Sequence, residues 1–169
     1  ACQRGASSIH STGVSPGFIT EAVPLVLTSI QRRLDRLHIH EFADVSSRNS
    51  PSMLFEIMGF GKQDPSQSLL LSPGSISLAW GPVLHLVASA IGLQLDSVEE
   101  THEIIRADED ITIASGTVEK GTISGMRFEI RGMVGDEARI IVEHVTRLRD
   151  TDAPDWPQGS GYRIDIAGE

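Results

Sequence analysis

Cysteine, aromatic residues and long hydrophobic runs are all scarce in this chain of 169 residues. Its single cysteine, Cys2, cannot form an intrachain disulfide or a cysteine-rich zinc site, which fits a reducing cytoplasm. The sequence has no run of about 18 apolar residues, so we expect no transmembrane helix. Lys and Arg number 14 against 23 Asp and Glu, and this shortage of positive charge argues against nucleic acid as a partner.

Several motifs of cofactor binding and catalysis are missing as well. No Gly-x-Gly-x-x-Gly follows a predicted strand, and strands do not alternate with helices as they do in a nucleotide-binding fold. We therefore expect no dinucleotide cofactor to bind these residues alone. The phosphate-binding loop, the Gly-x-Ser-x-Gly turn and the His-Glu-x-x-His helix are also absent, which leaves the common hydrolase and metalloprotease readings without support.

The first half of the sequence predicts helices interrupted by one strand. Residues 7–12 read as a short strand, and Ser15 with Pro16 then forms a good cap and first turn for a helix whose apolar positions recur as far as Leu34. Pro24 is expected to kink this helix or to mark its true start. The remaining elements are a two-faced strand at 37–45, a short helix at 50–59, and a buried helix at 75–91 with a kink or break at Gly81-Pro82.

The second half predicts strands. Residues 126–131 and 139–148 alternate between apolar and polar positions and form a hairpin through the turn at Gly135-Asp136. We expect shorter strands within 114–125 to join the same sheet, and a last strand at 162–166. The order of elements indicates one α+β domain over residues 1–169, with a mixed, mostly antiparallel sheet and helices packed on one face.

The most informative segment is Thr-Gly-Val-Ser-Pro-Gly-Phe at residues 12–18. A helix N-terminus presents unpaired backbone N–H groups, and flanking glycines let an anion come close, so a substrate carboxylate or phosphate could dock there. The alternative is an ordinary, well-capped helix start. Arg48, in the loop after a strand, could pair with a carboxylate in a bidentate manner, or could simply be a solvated loop arginine. The candidate substrate-binding residues are Thr12, Gly13, Ser15, Pro16, Gly17, Phe18 and Arg48.

Two pairs of residues that contain histidine suggest other functions. His38 and His40 project from one side of a strand at a spacing that a metal could use, but no third ligand is evident nearby in sequence. Plain packing is therefore the favoured interpretation, and no metal is expected. His102 and Glu103 are adjacent in a strand, so they point to opposite faces and cannot easily cooperate as acid and base.

Several short motifs, taken together in this order, resemble one family of oxidoreductases. The segment at residues 12–18 is similar to the Thr-Gly-x-x-Pro-Gly-Phe stretch of 2,4-diaminopentanoate dehydrogenases and of related proteins of the dihydrodipicolinate reductase type. The similarity covers nearly the whole chain as a C-terminal domain. Its further matches are Glu41-Phe42-Ala43-Asp44, Gly59-Phe60-Gly61, Thr112-Ile113-Ala114-Ser115-Gly116-Thr117, Asp155-Trp156-Pro157 and Tyr162-Arg163-Ile164.

The resemblance implies a division of labour between two domains. In such proteins an N-terminal Rossmann domain binds NAD or NADP, and the C-terminal domain supplies the substrate pocket and the subunit contacts. It therefore implies hydride transfer at an imine or amine carbon, a small substrate carrying a carboxylate or amine, and assembly as a homodimer or homotetramer. Since the chain starts at Ala1 rather than Met, we expect a fragment that lacks the Rossmann domain.

Two other functions remain open at this stage. The chain could be a ligand-binding or assembly module that works without a nucleotide cofactor, with an exposed sheet face that forms an oligomer. It could also be a complete enzyme of another class that uses a histidine as acid or base.

Overall fold

The computed structural model describes residues 4–7 and 13–169. The predicted strand at residues 7–12 therefore lies almost wholly outside the described part, as does Thr12 of the candidate site. The strands are β1 (Leu34–Asp44), β2 (Ser97–Arg106), β3 (Ile111–Ile113), β4 (Gly116–Val118), β5 (Ile123–Val134), β6 (Glu137–Arg147) and β7 (Gly161–Gly168). The helices are α1 (Val23–Thr28), α2 (Ser75–Ala90), the π-helical segments Phe18–Ala22 and Ser52–Met58, and the 3₁₀ turns Pro65–Gln67 and Asp150–Asp152.

Five of these strands form one mixed sheet in the order β2-β5-β6-β1-β7. The pairs β2–β5, β5–β6 and β1–β7 are antiparallel, and only β1 and β6 run parallel among the described strands. The helices cover one face, where α2 packs across β5, β2 and β6. This architecture confirms the predicted α+β fold. None of the described helices has the length and apolar character needed to span a membrane.

The sheet buries one face because apolar residues alternate along its strands. Leu37 and Ile39 of β1 point to the helices, as do Phe128 and Ile130 of β5, and each of these side chains is almost completely buried. The core is completed by Val83, Leu84 and Val87 of α2, which are buried against this face of the sheet. The opposite face, which we call the open face, carries charged and histidine side chains and is covered by no described helix.

The β5–β6 hairpin matches the prediction, but the strands between Ala114 and Gly125 do not. β3 and β4 pair only with each other and form a separate two-stranded sheet, so the expectation that they would join the main sheet is wrong. Local pairing explains the difference, since a two-residue connection places β4 beside β3 while the edge of the main sheet is already occupied by β2.

The helix at 75–91 is continuous, so of the kink or break expected at Gly81-Pro82 the break does not occur. Pro82 lies inside α2, which runs unbroken from Ser75 to Ala90. Burial explains its persistence, because the packing of Trp80, Val83 and Leu84 against the sheet stabilises the helix by more than the hydrogen bond that proline removes.

The first helix starts later and ends earlier than its sequence suggests. Ser15 caps nothing: helical structure begins at Phe18 after Gly17, whose backbone N–H donates to Thr20 Oγ1 at 2.9 Å. Gly17 has φ 141° and pairs with Gly13, and a Cβ on Gly17 would lie only 2.3 Å from the Gly13 carbonyl oxygen. This close approach turns the chain at Gly17 and sets the start of the helix. Regular α-helix begins at Val23 and ends at Thr28. Pro24 lies in its first turn, so it marks the true start of the helix, which is one of the two roles predicted for it.

The N-terminus of α2 is capped by a carboxylate from the neighbouring strand β2. Glu100 Oε1 accepts from the Gly74 N–H at 2.6 Å, and Oε2 accepts from the Ser77 N–H at 2.7 Å and the Ser77 hydroxyl at 2.6 Å. Burial would raise the pKa of Glu100, but these hydrogen bonds outweigh it and hold the pKa below its ordinary value. Ionised Glu100 therefore stabilises the folded state.

We expect Glu100→Gln to lower the free energy of unfolding at neutral pH by about 1–2 kcal/mol, the range seen when a helix cap is lost. The depressed pKa means that this contribution is present above the unfolded value of about 4.3 and is lost as the pH falls through the folded value. Urea unfolding between roughly pH 7 and pH 3 should therefore show a steeper acid loss in the unmodified chain than in the variant. Parallel pH profiles for the two proteins would contradict this role of Glu100.

Candidate active site

A cleft of about 240 Å³ lies between the helix-covered face of the sheet and the helical segments above it. Strands β1, β5 and β6 form its floor, α2 and the segment Ser52–Met58 form one wall, and the turn before the first helix forms another. Its lining residues are Ser15, Pro16, Glu41, Ala43, Val45, Arg48, Met53, Ile57, Met58, Leu70, Trp80, Phe128, His144 and Thr146.

Three aromatic rings make up the inner part of this cleft. Phe128 and His144 stack with parallel planes and ring centroids 4.9 Å apart, since Phe128 of β5 and His144 of β6 are partners in the hairpin register. Trp80 of α2 lies against both, with its centroid 5.0 Å from that of Phe128 and 6.0 Å from that of His144. Aromatic faces of this kind attract an organic cation.

Glu41 places a carboxylate beside these rings. It occupies a position of β1 that faces the helices, and the parallel register sets it next to His144 of β6. Glu41 Oε2 lies 3.3 Å from His144 Nε2, and Glu41 Oε1 accepts from the Tyr162 hydroxyl at 3.3 Å. Burial would raise the pKa of Glu41, but contacts with His144, Ser15 and Tyr162 hold the pKa below its ordinary value. The cleft therefore contains a fixed negative charge.

Thr146 orients the imidazole of His144. Thr146 Oγ1 lies 2.8 Å from His144 Nδ1, and this hydrogen bond fixes the imidazole with its other nitrogen, Nε2, towards Glu41. The line Thr146–His144–Glu41 connects three side chains that all line the cleft. This arrangement can hold a proton at the Glu41 carboxylate or pass it to the imidazole.

Three buried polar atoms of the cleft lack a hydrogen-bond partner among the described residues. They are Ser15 Oγ, Glu41 Oε2 and Trp80 Nε1. A buried donor or acceptor without a partner costs roughly 1–3 kcal/mol, so such atoms are rare in folded proteins. Their convergence on one cleft indicates a polar ligand that supplies the missing partners.

Arg48 stands at the mouth of the cleft and is exposed. Its guanidinium forms no ion pair with any residue in the described ranges, and its backbone is held by Ser115, whose hydroxyl donates to the Arg48 carbonyl at 2.6 Å. Burial and the neighbouring Glu41 carboxylate raise the pKa of Tyr162, and the charge of Arg48 opposes this rise. Arg48 therefore adds a positive charge to a cleft that already contains the negative charge of Glu41.

The structure brings together only part of the predicted substrate-binding set. Ser15, Pro16 and Arg48 line the cleft, whereas Gly13 and Gly17 shape the turn behind it and Phe18 is 58% exposed beside it. Thr12 lies outside the described residues. Because Ser15 sits near the Glu41 carboxylate, the charge in this part of the cleft favours a cation over the anion expected at the helix start.

Glu41, Trp80 and His144 are the site residues that sequence reasoning did not select. The signal for Glu41 was present, because a carboxylate interrupts the apolar positions of the predicted strand at 37–45. Trp80 was read as a buried helix residue, and nothing in sequence links His144 to either. Only the parallel pairing of β1 with β6 places Glu41 next to His144.

His38 and His40 lie on the other side of the sheet, on the open face. No metal was expected there because no third ligand is near these histidines in sequence. In the fold, Glu143 of β6 lies close enough to both rings to be that third ligand. His102 and Glu103, on neighbouring positions of β2, are exposed and belong to neither group.

Comparison with known proteins agrees with this cleft-bearing fold. The family described as "2,4-diaminopentanoate dehydrogenase C-terminal domain" matches residues 18–169. A curated protein from Streptomyces virginiae, named "Amine dehydrogenase", is 32% identical over 174 residues, which cover 99% of this chain and 48% of that protein.

A solved structure, that of the amine dehydrogenase from Mycobacterium smegmatis, shares the fold. It superposes with a TM-score of 0.66 at 15% sequence identity and covers 94% of this chain and 46% of its own. The chain thus spans about half the length of the relatives it matches. Because the family match covers residues 18–169, this chain belongs to the family of 2,4-diaminopentanoate dehydrogenase C-terminal domains.

Proposed function

We propose that this chain is the substrate-binding and oligomerisation half of an NAD(P)-dependent oxidoreductase that acts at the amine or imine carbon of an amino-acid-like substrate. The observation that carries the proposal is the ionised Glu41 carboxylate beside the Trp80, Phe128 and His144 rings. A carboxylate and aromatic faces together form a site suited to an ammonium group. The membership of an amine dehydrogenase-related family supports the same reading.

The cleft suits a substrate with two charged ends. An ammonium held by Glu41 would occupy the aromatic part and could donate a hydrogen bond to Ser15 Oγ, which lacks a partner. A carboxylate would pair with Arg48 at the mouth, where the guanidinium can donate two parallel hydrogen bonds. Because an anionic and a cationic side chain both face the cleft, a substrate that carries an amine and a carboxylate fits it better than a simple alkylamine.

Glu41 and His144 supply the proton chemistry that amine oxidation requires. An ammonium must lose a proton before a hydride can leave the adjacent carbon, because the nitrogen lone pair stabilises the developing iminium. Glu41 contacts the nitrogen in this arrangement, and His144 lies 3.3 Å behind it as the next acceptor. The same pair returns the proton when the reaction runs towards the amine.

The nicotinamide cofactor, NAD or NADP, is proposed to bind a Rossmann domain outside this chain. Within residues 4–7 and 13–169, the parallel strands β1 and β6 are joined through four other strands and three helical segments, not through a single crossover helix. A nucleotide-binding unit needs a strand, a glycine-rich turn and a crossover helix in direct succession. These residues therefore do not fit the cofactor, which would supply the hydride acceptor from elsewhere.

The open face of the sheet is the proposed subunit contact. Five strands present this face, no described helix covers it, and it carries charged and histidine side chains of β1, β5 and β6. Charged side chains of both signs on one face can pair with those of a second copy across a two-fold axis, which fits a homodimer, or a homotetramer built from two such pairs.

The function is tested on the intact protein that carries this chain. Purified protein is offered a diamino acid, an alkylamine without a carboxylate and a carboxylic acid without an amine, each with NAD⁺ or NADP⁺, and reduced nicotinamide is followed by absorbance. We expect turnover of the two amines, fastest with the diamino acid, and a dimer or tetramer by light scattering of the same sample. Calorimetry of the isolated 169-residue chain should show no binding of NADH or NADPH. Tight binding of the amines with no turnover by either cofactor would favour a ligand-binding module instead.

A further inference from the structure

A second cluster of functional side chains lies on the open face, across the sheet from the cleft. His38 and His40 point to this face from β1, and the parallel register pairs His40 with Glu143 of β6. One nitrogen of each histidine and one oxygen of Glu143 all lie within 4.8 Å of one another. No residue from a second copy of the chain is needed to complete this group.

The three ligand atoms face a common point. His40 Nδ1 contacts Glu143 Oε2, and His38 Nε2 lies 3.4 Å from the same oxygen. The two imidazoles stack with centroids 3.7 Å apart, and His38 Nε2 is buried without a hydrogen-bond partner in the described part of the chain. Lone-pair donors brought together in this way, one of them unsatisfied, favour a bound cation between them.

Outer residues orient these ligands as they do in known metal sites. Arg127 Nε donates to Glu143 Oε1 at 2.6 Å, which leaves Oε2 turned towards the histidines. The other nitrogen of His40, Nε2, lies 3.0 Å from Asp165 Oδ2. Metal-binding histidines usually donate their second ring N–H to a carboxylate in this manner, and ligating carboxylates are themselves hydrogen-bonded.

Arg163 completes the outer shell. Its Nε lies 3.0 Å from Asp165 Oδ2, and its terminal nitrogen lies 3.3 Å from His40 Nε2. Arg163 and His40 thus share one carboxylate, which fixes the ring of His40 with Nδ1 facing Glu143. The positive charges of Arg127 and Arg163 each have a carboxylate partner, so neither guanidinium points unpaired at the ligand atoms.

We propose that His38, His40 and Glu143 bind a divalent transition-metal ion, with Zn²⁺ as the best fit. Two imidazole nitrogens and one carboxylate oxygen form a zinc ligand set, and such a set leaves a fourth position for water or another ligand. The side chains of His40 and Glu143 are almost fully buried, whereas that of His38 is 20% exposed, so the open position lies on the side of His38. Hard ions such as Mg²⁺ prefer sites made of oxygen atoms and should not compete.

The test uses the 169-residue chain, stripped with a chelator and titrated with Zn²⁺, Co²⁺ or Mg²⁺. Calorimetry should give one Zn²⁺ per chain, and Co²⁺ should develop visible absorption from nitrogen and oxygen ligands, while Mg²⁺ should give neither signal. His38→Gln is expected to weaken Zn²⁺ binding by more than about 100-fold, and Asp165→Asn, which changes only the outer shell, by roughly 10- to 100-fold. His102→Gln, at an exposed position of β2 on the other side of the sheet, is the matched control and should bind normally.

Two results would overturn the proposal. The first is an absence of stoichiometric Zn²⁺ binding by the folded chain, which would leave these residues as a network of polar contacts inside the protein. The second is equal Zn²⁺ affinity in the unmodified chain and in Asp165→Asn, whose half-exposed side chain can be changed without disturbing the core. Neither result depends on amine turnover, so the metal site can be disproved without disproving the proposed oxidoreductase function, and the reverse is also true.

Discussion

Glu41→Gln is expected to lower kcat/KM for amine substrates of the intact protein by about 10- to 150-fold. The variant keeps the size of the side chain but removes the charge that is proposed to hold the ammonium and to accept its proton. A hydrogen bond to a charged group contributes about 1.5–3 kcal/mol, and each 1.4 kcal/mol corresponds to about a factor of ten. Steady-state kinetics with a diamino acid and both nicotinamide cofactors measure the effect.

Glu56→Gln is the matched control for this prediction. Glu56 lies in the same segment, Ser52–Met58, that supplies Met53 and Ile57 to the cleft, but its own side chain is exposed and does not line it. We expect kcat/KM to be unchanged in Glu56→Gln. An unchanged kcat/KM in Glu41→Gln, with an intact fold by circular dichroism, would remove Glu41 from the site and with it the cation-binding reading of the cleft.

Arg147→Ala should cause the largest loss of stability, about 3–5 kcal/mol in the free energy of unfolding. Arg147 ends β6 and is completely buried. Its guanidinium donates to the Pro157 carbonyl at 2.7 Å, to the Gly159 carbonyl at 3.1 Å and to Asp150 Oδ1 at 2.5 Å. The side chain of Asp150 is 55% exposed, so solvent screens that ion pair, and most of the loss comes from the two carbonyls and the cavity that alanine leaves.

Urea denaturation, extrapolated to water, gives the free energy for Arg147→Ala and its comparisons. Arg147→Lys should restore only a small part of the loss, because an ammonium cannot reach three acceptors in a planar arrangement. Arg106→Ala is the control, since Arg106 is exposed and donates only to the Gly121 carbonyl at 3.0 Å. Losses of similar size in Arg147→Ala and Arg106→Ala would contradict the special role of Arg147.

The loop that Arg147 holds in place leads from the end of β6 to a residue that contacts the cleft. This loop runs from Asp150 to Ser160, whose hydroxyl accepts from the Asp44 N–H at 3.3 Å, and it leads into Tyr162, whose hydroxyl donates to Glu41 of the cleft. Asp155-Trp156-Pro157, one of the motifs of the family resemblance, lies within it. A protein with a loosened loop should therefore also position Tyr162 less well against Glu41.

Alternation of apolar and polar residues was sufficient to predict most of the fold. The β5–β6 hairpin followed from Gly135-Asp136 between two alternating segments, and the buried helix α2 followed from its continuous apolar surface. Errors arose where short-range rules compete with packing, as with Pro82 in α2 and with Ser15, which resembles a helix cap but lies in a turn set by Gly13 and Gly17. Sequence rules of this kind describe neighbours along the chain and say nothing about what packs on top of them.

What the sequence by itself determined is the class of fold, the absence of a dinucleotide motif from these residues, and the resemblance to one oxidoreductase family. Those properties depend on local patterns and on motifs read in order. The tertiary structure alone decided the two groups of functional side chains, because each requires β1 and β6, which are far apart in the sequence, to lie side by side in parallel. That one pairing sets Glu41 against His144 on the helix-covered face and His40 against Glu143 on the open face, since successive residues of a strand point to opposite sides of the sheet.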